Sequence, residues 1–177
     1  MPLYRVTLAY DGTDFSGFQL QRSAGRTVQG VVEGALRRLG GGVRVAVAAA
    51  GRTDAGVHAL GQVAAFDLPR ELEPAALQRA LNGLLPEDVR VLDAALAAPG
   101  FHPRKSALSK LYSYVLDCGS VQPPQRRRFA GFCPSRLDEG GVRAAASLYL
   151  GRHDFTSLAS SASSATTTLR SVTRSQV

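Results

Sequence analysis

Cysteine is scarce in this chain, and histidine is thinly spread. The 177 residues include two cysteines, Cys118 and Cys133, which do not form a Cys-x-x-Cys pair. Two thiols at this spacing indicate a reducing compartment and exclude both a disulfide framework and a cysteine zinc site. The three histidines, His58, His102 and His153, lack the spacing of metal ligands. We therefore expect no bound metal.

Long apolar runs and the common nucleotide and acyl-transfer motifs are also missing. No run approaches the roughly 20 apolar residues that cross a bilayer, and residues 1–10 lack the basic start and apolar block of a signal peptide. The sequence contains no Gly-x-Ser-x-Gly, no Gly-x-x-x-x-Gly-Lys and no Gly-x-Gly-x-x-Gly after a strand. We expect a cytoplasmic protein without a membrane segment and outside those three enzyme classes.

Positive charge is concentrated in the second half of the chain. The net charge is +7, yet residues 1–100 contain ten basic and ten acidic residues, while residues 101–177 contain eleven and four. Only Lys105 and Lys110 are lysines, so arginine carries the charge, and its planar guanidinium suits phosphate contact and base stacking. This asymmetry favours a polyanionic partner, either nucleic acid or an acidic membrane surface.

Periodicity in the first half predicts a strand, a helix, two strands, a helix and a strand. The predicted elements are a strand over 3–10 ended by Asp11-Gly12, a helix over 28–39 capped by Thr27 and stopped at Gly40–Gly42, strands over 43–50 and 62–68, a helix starting at Pro74, and a strand over 89–92. This order matches the ferredoxin-like βαββαβ arrangement. We therefore predict an α+β protein whose first domain covers residues 1–97.

A linker at 97–100 introduces a second predicted domain over residues 101–177. Its predicted elements are a strand over 110–118, a Pro/Arg-rich loop over 121–128, a helix capped by Asp138 and stopped at Gly151, a mobile Ser/Ala/Thr loop over 156–168, and a strand beginning at Leu169. If this domain repeats the first, a strand, a helix and a strand are still missing. The second domain is therefore expected to be incomplete.

One loop combines a carboxylate, two basic side chains and small residues. The segment AGRTDAGVHA at 50–59 joins the second and third predicted strands and presents Asp54 beside Arg52 and His58. Taken alone, it also fits a connecting turn in which Asp54 bonds its own backbone. A lone carboxylate nucleophile that needs neither cofactor nor metal is chemically reasonable. Asp54 is therefore the candidate catalytic residue.

Six segments together resemble the tRNA pseudouridine synthase A (TruA) family. The loop GRTDAGVHA at 51–59 is similar to the family's signature loop, and the other five follow the expected order over almost the whole chain. They are YDGTDFSGFQ at 10–19, RTVQG at 26–30 with Glu33, FHPR at 101–104, K-x-Y-x-Y at 110–114, and G-x-HDF at 151–155. Six ordered matches are a much stronger signal than any one of them.

The resemblance implies isomerisation of uridine to pseudouridine in the anticodon stem-loop of tRNA, at positions 38 to 40 in tRNA numbering. The target base flips out of its stack, and Asp54 attacks either C6 of the base or C1′ of the ribose. The base is then turned and rejoined through C5. No redox change occurs, so no cofactor is implied. The family also implies a homodimer.

The resemblance extends to two further catalytic residues. Arg52 is expected to pair with Asp54 and support the flipped nucleotide, although a surface arginine bound to phosphate is nearly as good an interpretation. Tyr112 matches the family's active-site tyrosine, which stacks on the uracil. The competing interpretation of Tyr112 is a core aromatic on a strand, and Tyr114 fits that role better.

Several basic residues are candidates for RNA binding. Those near the predicted cleft are Arg22, Arg104, Lys105 and Lys110. His58 fits loop packing and an RNA contact equally well. The run Arg126–Arg128 is either a further RNA contact or a solvated loop.

The implied fold is the pseudouridine-synthase fold, in which the ferredoxin-like domain and the second α+β domain share an antiparallel sheet. Family members continue past the position of Val177 with a strand, a helix and a closing strand, so this chain is expected to be truncated. Two alternatives to an active synthase therefore remain open. One is a non-catalytic RNA-binding module, and the other is an inactive truncated synthase that still binds RNA.

Overall fold

The chain divides into two compact units, Met1–Ser113 and Tyr114–Val177. The computed structural model describes residues 1–21, 25–159 and 167–177. Within those ranges no helix combines the length and apolar character needed to cross a membrane. The predicted domain boundary at 97–100 stays a prediction.

The first unit contains one four-stranded antiparallel sheet and two helices. Its elements are β1 (Leu3–Tyr10), α1 (Val28–Leu39), β2 (Ala48–Ala49), β3 (Ala59–Asp67), α2 (Pro74–Leu84) and β4 (Val89–Leu96). The strands lie in the order β2-β3-β1-β4, and each neighbouring pair is antiparallel. The predicted order of elements and the α+β class are confirmed. The shared sheet of two domains stays a prediction.

Both helices of the first unit begin at side-chain caps. Thr27 accepts a hydrogen bond from the backbone N–H of Gly30 and starts α1. Glu73 accepts from two backbone N–H groups at the start of α2, where Pro74 occupies the first helical position. The core lies between the helices and the alternate side chains of β1. It includes Tyr4, Val6, Leu8, Val28, Val32, Leu36, Leu77 and Leu81.

The second predicted strand is wrong in extent. Only Ala48–Ala49 pairs with β3, whereas residues 43–47 lie outside the ladder. The reason lies in α1, because Glu33 Oε1 accepts from the N–H of Val47 at 3.1 Å and Gln29 Nε2 donates to its carbonyl at 3.4 Å. Side chains thus bond the backbone groups that a ladder would use. Val45 and Val47 are nevertheless buried.

The second unit contains short strands and one helix. Its elements are β5 (Leu116–Asp117), β6 (Gly131–Phe132), α3 (Glu139–Ser147), β7 (Gly151–Asp154), β8 (Leu169–Val172) and 3-10 turns at Pro124–Arg126 and Thr156–Leu158. β5 pairs with β6 in parallel, and β7 pairs with β8 antiparallel. Asp138 caps α3 as predicted.

The strand predicted over 110–118 is limited to Leu116–Asp117. A strand needs a neighbouring backbone for its N–H and C=O groups, and among the described residues β6 provides one only at those two positions. Tyr114, predicted as a core aromatic, is 90% exposed, so that interpretation is wrong. Of the predicted mobile loop at 156–168, residues 160–166 lie outside the described residues.

Candidate active site

The loop that bears Asp54 joins β2 to β3, and three hydrogen bonds hold its first residues. The N–H of Ala50 donates to the carbonyl of Val63 at 2.8 Å. The ammonium of Lys110 donates to the carbonyl of Ala50 at 2.6 Å, and Gln62 Nε2 donates to the carbonyl of Gly51 at 2.8 Å. The entry to the loop is therefore bonded to β3 and to the segment that carries Lys110.

The segment 11–18 runs beside the middle of this loop and bonds it on both sides of Asp54. The N–H of Phe18 donates to the carbonyl of Thr53 at 2.9 Å, and the N–H of Gly56 donates to the carbonyl of Phe15 at 3.2 Å. Asp54 itself is exposed. The Asp54 side chain thus extends to solvent, while the backbone on either side of it is held by hydrogen bonds at Thr53 and Gly56.

Two glycines permit this close approach of backbones. A Cβ on Gly12 would lie 2.0 Å from the carbonyl oxygen of Val57, and a Cβ on Gly17 would lie 2.8 Å from that of Thr53. Gly17 also has a φ of 95°, in the region that other residues rarely adopt. A side chain at either position would separate segment 11–18 from the Asp54 loop.

Tyr10 supports the loop from the core. Its hydroxyl and Thr53 Oγ1 form a hydrogen bond of 2.9 Å, and the residue is buried. Burial raises the pKa of Tyr10 above its ordinary value of 10.0, and this outweighs the hydrogen bonds with Thr53 and Gln62, which lower the pKa. The hydroxyl is therefore neutral near pH 7 and remains able to form the hydrogen bond to Thr53.

An ion pair braces segment 11–18 from its other side. Arg26 Nη2 donates to Asp88 Oδ1 at 2.8 Å, and the guanidinium lies 4.1 Å from the ring centre of Phe15. The N–H of Asp11 donates to the carbonyl of Asp88 at 3.0 Å. The hydrogen bond from Arg26 holds the pKa of the Asp88 carboxyl below its ordinary value, so the pair is charged at neutral pH.

Two neighbouring cavities open around the loop. The Asp54 cavity has a volume of about 250 Å³ and is lined by residues 16–19, Gln21 and residues 52–55. The Arg104 cavity has a volume of about 230 Å³, and its lining includes Gln29, His102 and Arg104. Phe18, Gln19 and Arg52 border both cavities. Arg52 can therefore contact a ligand in either one.

The structure brings three of the predicted site residues to these cavities. Asp54 and Arg52 line the Asp54 cavity, and Arg104 lines the other cavity together with Arg52. Within the described ranges, no ion pair or hydrogen bond joins Arg52 to Asp54. Pairing of these two side chains stays a prediction.

Two further predicted residues make contacts within the loop. His58 Nδ1 lies 3.1 Å from both the N–H of Gly12 and Asp11 Oδ1. The tautomer with a bare Nδ1 accepts from Gly12, whereas a proton on Nδ1 would allow donation to Asp11. The position of His58 thus agrees with the loop-packing interpretation. Lys110, predicted to bind RNA, also supports the loop through its bond to Ala50.

The remaining predicted residues lie elsewhere. Lys105 and Tyr112 line neither cavity, and the ring of Tyr112 is 75% exposed. Arg22 lies outside the described residues. In the second unit, Arg126 Nε lies 3.5 Å from the buried Asp117 Oδ2, while Arg127 and Arg128 are exposed.

Sequence reasoning missed the residues that hold the loop. The sequence placed Tyr10 in the first strand and in the segment YDGTDFSGFQ, and Gln62 in a strand, but gave neither a role in holding the Asp54 loop, which both bond. His102 was noted within a motif but not as part of a cavity. The available signal was the segment YDGTDFSGFQ at 10–19, because it combines the two glycines that allow close approach with an adjacent tyrosine.

Comparison with known proteins identifies close sequence relatives. A family model described as tRNA pseudouridine synthase matches residues 7–102. The tRNA pseudouridine synthase A of Latilactobacillus sakei subsp. sakei (strain 23K) is 49% identical over 156 residues, which cover 88% of this chain and 62% of that protein. The protein of the same name from Lacticaseibacillus casei (strain BL23) is 44% identical over 161 residues, which cover 91% and 65%.

The similarity extends over the whole chain in a third relative. The tRNA pseudouridine synthase A of Streptococcus thermophilus (strain ATCC BAA-491 / LMD-9) is 41% identical over 177 residues, which cover 100% of this chain and 71% of that protein. The chain therefore spans about two thirds of the length of these relatives.

Proposed function

This chain belongs to the tRNA pseudouridine synthase family, and on that basis we propose that the protein isomerises uridine to pseudouridine in tRNA with Asp54 as nucleophile. The observation that carries the proposal is the position of Asp54. It lies on a loop with many hydrogen bonds, and its exposed carboxylate borders a cavity that Arg52 also lines. Such a loop can present a nucleophile in a fixed geometry without a cofactor.

The proposed reaction leaves the composition of the nucleotide unchanged and exchanges one hydrogen with water. The Asp54 carboxylate attacks C6 of the uracil or C1′ of the ribose, and the bond between N1 and C1′ breaks. The base turns and forms a new bond from C5 to C1′, after which C5 loses its proton and N1 gains one. The carboxylate is released unchanged, so the net reaction is an isomerisation.

Arg52, Arg104 and Tyr112 have proposed roles around the flipped nucleotide. Arg52 borders both cavities, so its guanidinium can contact the target nucleotide and a neighbouring phosphate. Arg104 extends this positive lining into the second cavity. We assign Tyr112 to stacking on the uracil, for which its exposed ring is available.

The finer specificity is part of the same proposal. We propose that a homodimer acts on the anticodon stem-loop, at positions 38 to 40 in tRNA numbering, in the cytoplasm. The basic excess of residues 101–177 supports a polyanionic substrate. Arg22 and Lys105 are proposed phosphate contacts, since phosphate contacts position RNA without reading its sequence.

The decisive experiment measures tritium release from tRNA labelled at C5 of uridine. We expect release with this chain, none with Asp54→Asn, and full release with Asp67→Asn, which removes an exposed carboxylate at the end of β3. Release that persists in Asp54→Asn would exclude Asp54 as the nucleophile. Chemical mapping of pseudouridine in the product would test positions 38 to 40.

A chain that binds tRNA without releasing tritium would favour the RNA-binding alternatives. A fusion that adds the part of the Latilactobacillus sakei protein outside the matched region would then separate them. Release restored by the fusion would indicate that this chain alone is an incomplete synthase. Continued silence of a folded fusion would overturn the synthase proposal.

A further inference from the structure

The two cysteines of the chain lie beside each other in the second unit. In the parallel pair β5–β6, Leu116 is opposite Gly131 and Asp117 is opposite Phe132. Cys118 and Cys133 immediately follow these two strands, so one further step of the same register would place them opposite each other. The N–H of Cys133 donates to the carbonyl of Asp117 at 2.9 Å, so the backbones are still bonded at this step.

This register satisfies the geometric needs of a disulfide. Neighbouring strands lie about 4.7–4.9 Å apart, and cystine Cα atoms lie about 4.4–6.8 Å apart. Residues directly opposite on neighbouring strands also direct their side chains to the same face. The thiol of Cys133 is among the groups that raise the pKa of Cys118, through charge and hydrogen bonding. No change of register is needed to bring the two sulfur atoms together.

The surroundings favour thiol chemistry over metal binding. Cys118 is exposed and Cys133 is half-buried, so a small reagent can reach the pair. Within the described ranges, no group of three or more His, Cys, Asp or Glu side chains could hold a metal ion. Neither Cys118 nor Cys133 is in a disulfide bond in the structure.

We propose that Cys118 and Cys133 form a reversible disulfide within one chain, with a small disulfide such as oxidised glutathione as the oxidant. The thiolate of the exposed Cys118 attacks the small disulfide, forms a mixed disulfide and releases one small thiol. The thiolate of Cys133 then displaces the second small thiol. The protein loses two hydrogens and two electrons, which reduce the small disulfide to two thiols. This proposal does not depend on the proposed function.

The local charges determine how the reaction responds to pH. Desolvation raises the pKa of Cys118, and the neighbouring Cys133, Asp117 and Glu139 raise it further. The guanidinium of Arg126 lies 3.5 Å from Asp117 Oδ2 and partly offsets the negative charge of that neighbour. Because the thiolate is the attacking species, the oxidation rate should rise as the pH increases through and above the ordinary pKa range of a thiol.

The disulfide would close a loop that contains the arginine run. Residues 118–133 include Arg126–Arg128, at which trypsin can cut. In the oxidised protein, the pieces on either side of such a cut stay joined through the two cysteines. In the reduced protein they separate. Proteolysis thus identifies the connection directly.

The experiment incubates the full chain in glutathione buffers of increasing oxidised fraction, followed by acid quenching and intact-mass measurement. We expect a monomer that is lighter by two hydrogens and has lost both reactive thiols, and we expect dithiothreitol to restore both. Tryptic peptides containing Cys118 and Cys133 should be linked before reduction and separate after it. Oxidation should be faster at pH 9 than at pH 7.

Matched serine variants provide the control. Cys118→Ser and Cys133→Ser each replace one sulfur with oxygen and keep one thiol, and we expect each to stop at a mixed disulfide with glutathione. A wild-type chain that also stops at mixed disulfides, or that forms only cross-linked dimers, would overturn the proposal. Retention of both free thiols at every glutathione ratio would overturn it as well.

Discussion

Two capped helices show how differently the two units are built. α1 begins at Thr27 and buries Val28, Val32 and Leu36. α3 begins at Asp138 with a similar cap, yet none of its residues is buried. Capping and periodicity act within one turn, whereas burial requires a sheet or helix to cover the apolar face. The first unit supplies that cover from its own sheet.

The same contrast extends to whole units. Among the described residues, every buried hydrophobic side chain belongs to the first unit except Ala130. The second unit leaves large apolar side chains exposed, including Phe129, Tyr149 and Leu158. Local stability depends on buried apolar contacts. We therefore expect the Asp54 loop, which lies in the first unit, to belong to the more stable part of the molecule.

Matched leucine substitutions test this contrast with the largest expected effect. Leu81 in α2 is fully buried, and Leu158 is 69% exposed. Leu81→Ala should lower the free energy of unfolding by about 2–5 kcal/mol, whereas Leu158→Ala should change it by less than about 0.5 kcal/mol. Urea unfolding followed by circular dichroism measures both. Equal losses would show that the second unit has a core of comparable strength.

Glycine substitutions sharpen the comparison within the first unit. Gly12→Ala places a Cβ against the backbone of Val57 and should cost about 1–3 kcal/mol of stability. Gly34→Ala, on the exposed face of α1 with no atom within 4 Å of its Cβ, should add about 0.5–1 kcal/mol. Thermal unfolding should show a lower melting temperature for Gly12→Ala and a higher one for Gly34→Ala. A tolerated Gly12→Ala would mean that segment 11–18 and the loop can separate freely.

Substitutions of Lys110 and Lys105 distinguish a lysine that supports the Asp54 loop from one that contacts RNA. Lys110→Met removes the bond to Ala50 and should lower kcat for tRNA modification about tenfold by displacing the loop, with an unchanged salt dependence of tRNA binding. Lys105→Met should leave kcat unchanged and reduce the slope of log affinity against log salt by roughly one. A reduced salt slope for Lys110→Met would show that Lys110 contacts RNA, as the sequence predicts, in addition to bonding Ala50.

Tyrosine substitutions give the smallest expected difference and a pH signature. Tyr10→Phe loses the bond to Thr53 and should cost about 0.5–1.5 kcal/mol, while Tyr114→Phe should change nothing measurable. Because the folded pKa of Tyr10 is raised, the folded state binds more protons above pH 10 and its stability falls as pH rises. Unfolding measured from pH 8 to 11 should show a shallower fall in Tyr10→Phe. An identical fall in the wild-type protein and in Tyr10→Phe would contradict the assignment of this pH dependence to Tyr10.

Sequence patterns predicted the parts of the fold that depend on neighbouring residues. β1, α1 and the cap at Asp138 follow from alternation, helical spacing and capping side chains. The strand predicted over 43–50 is limited to Ala48–Ala49, because side chains of α1 bond the backbone of Val47. Alternation alone could not reveal that side chains of α1 would bond this backbone in place of a neighbouring strand.

The sequence by itself determined the α+β class, the helix capped by Thr27, the helix that starts at Pro74, and Asp54 as the candidate nucleophile on a loop of small residues. Only the tertiary structure decided which side chains hold that loop. Tyr10 meets Thr53 across 43 positions, and Lys110 meets Ala50 across 60. It also bonded the backbone of Cys133 to Asp117, the neighbour of Cys118, although the sequence predicted no cysteine pair. Local patterns record contacts within a few residues, whereas these contacts depend on which backbones the packed core and the strand register bring together.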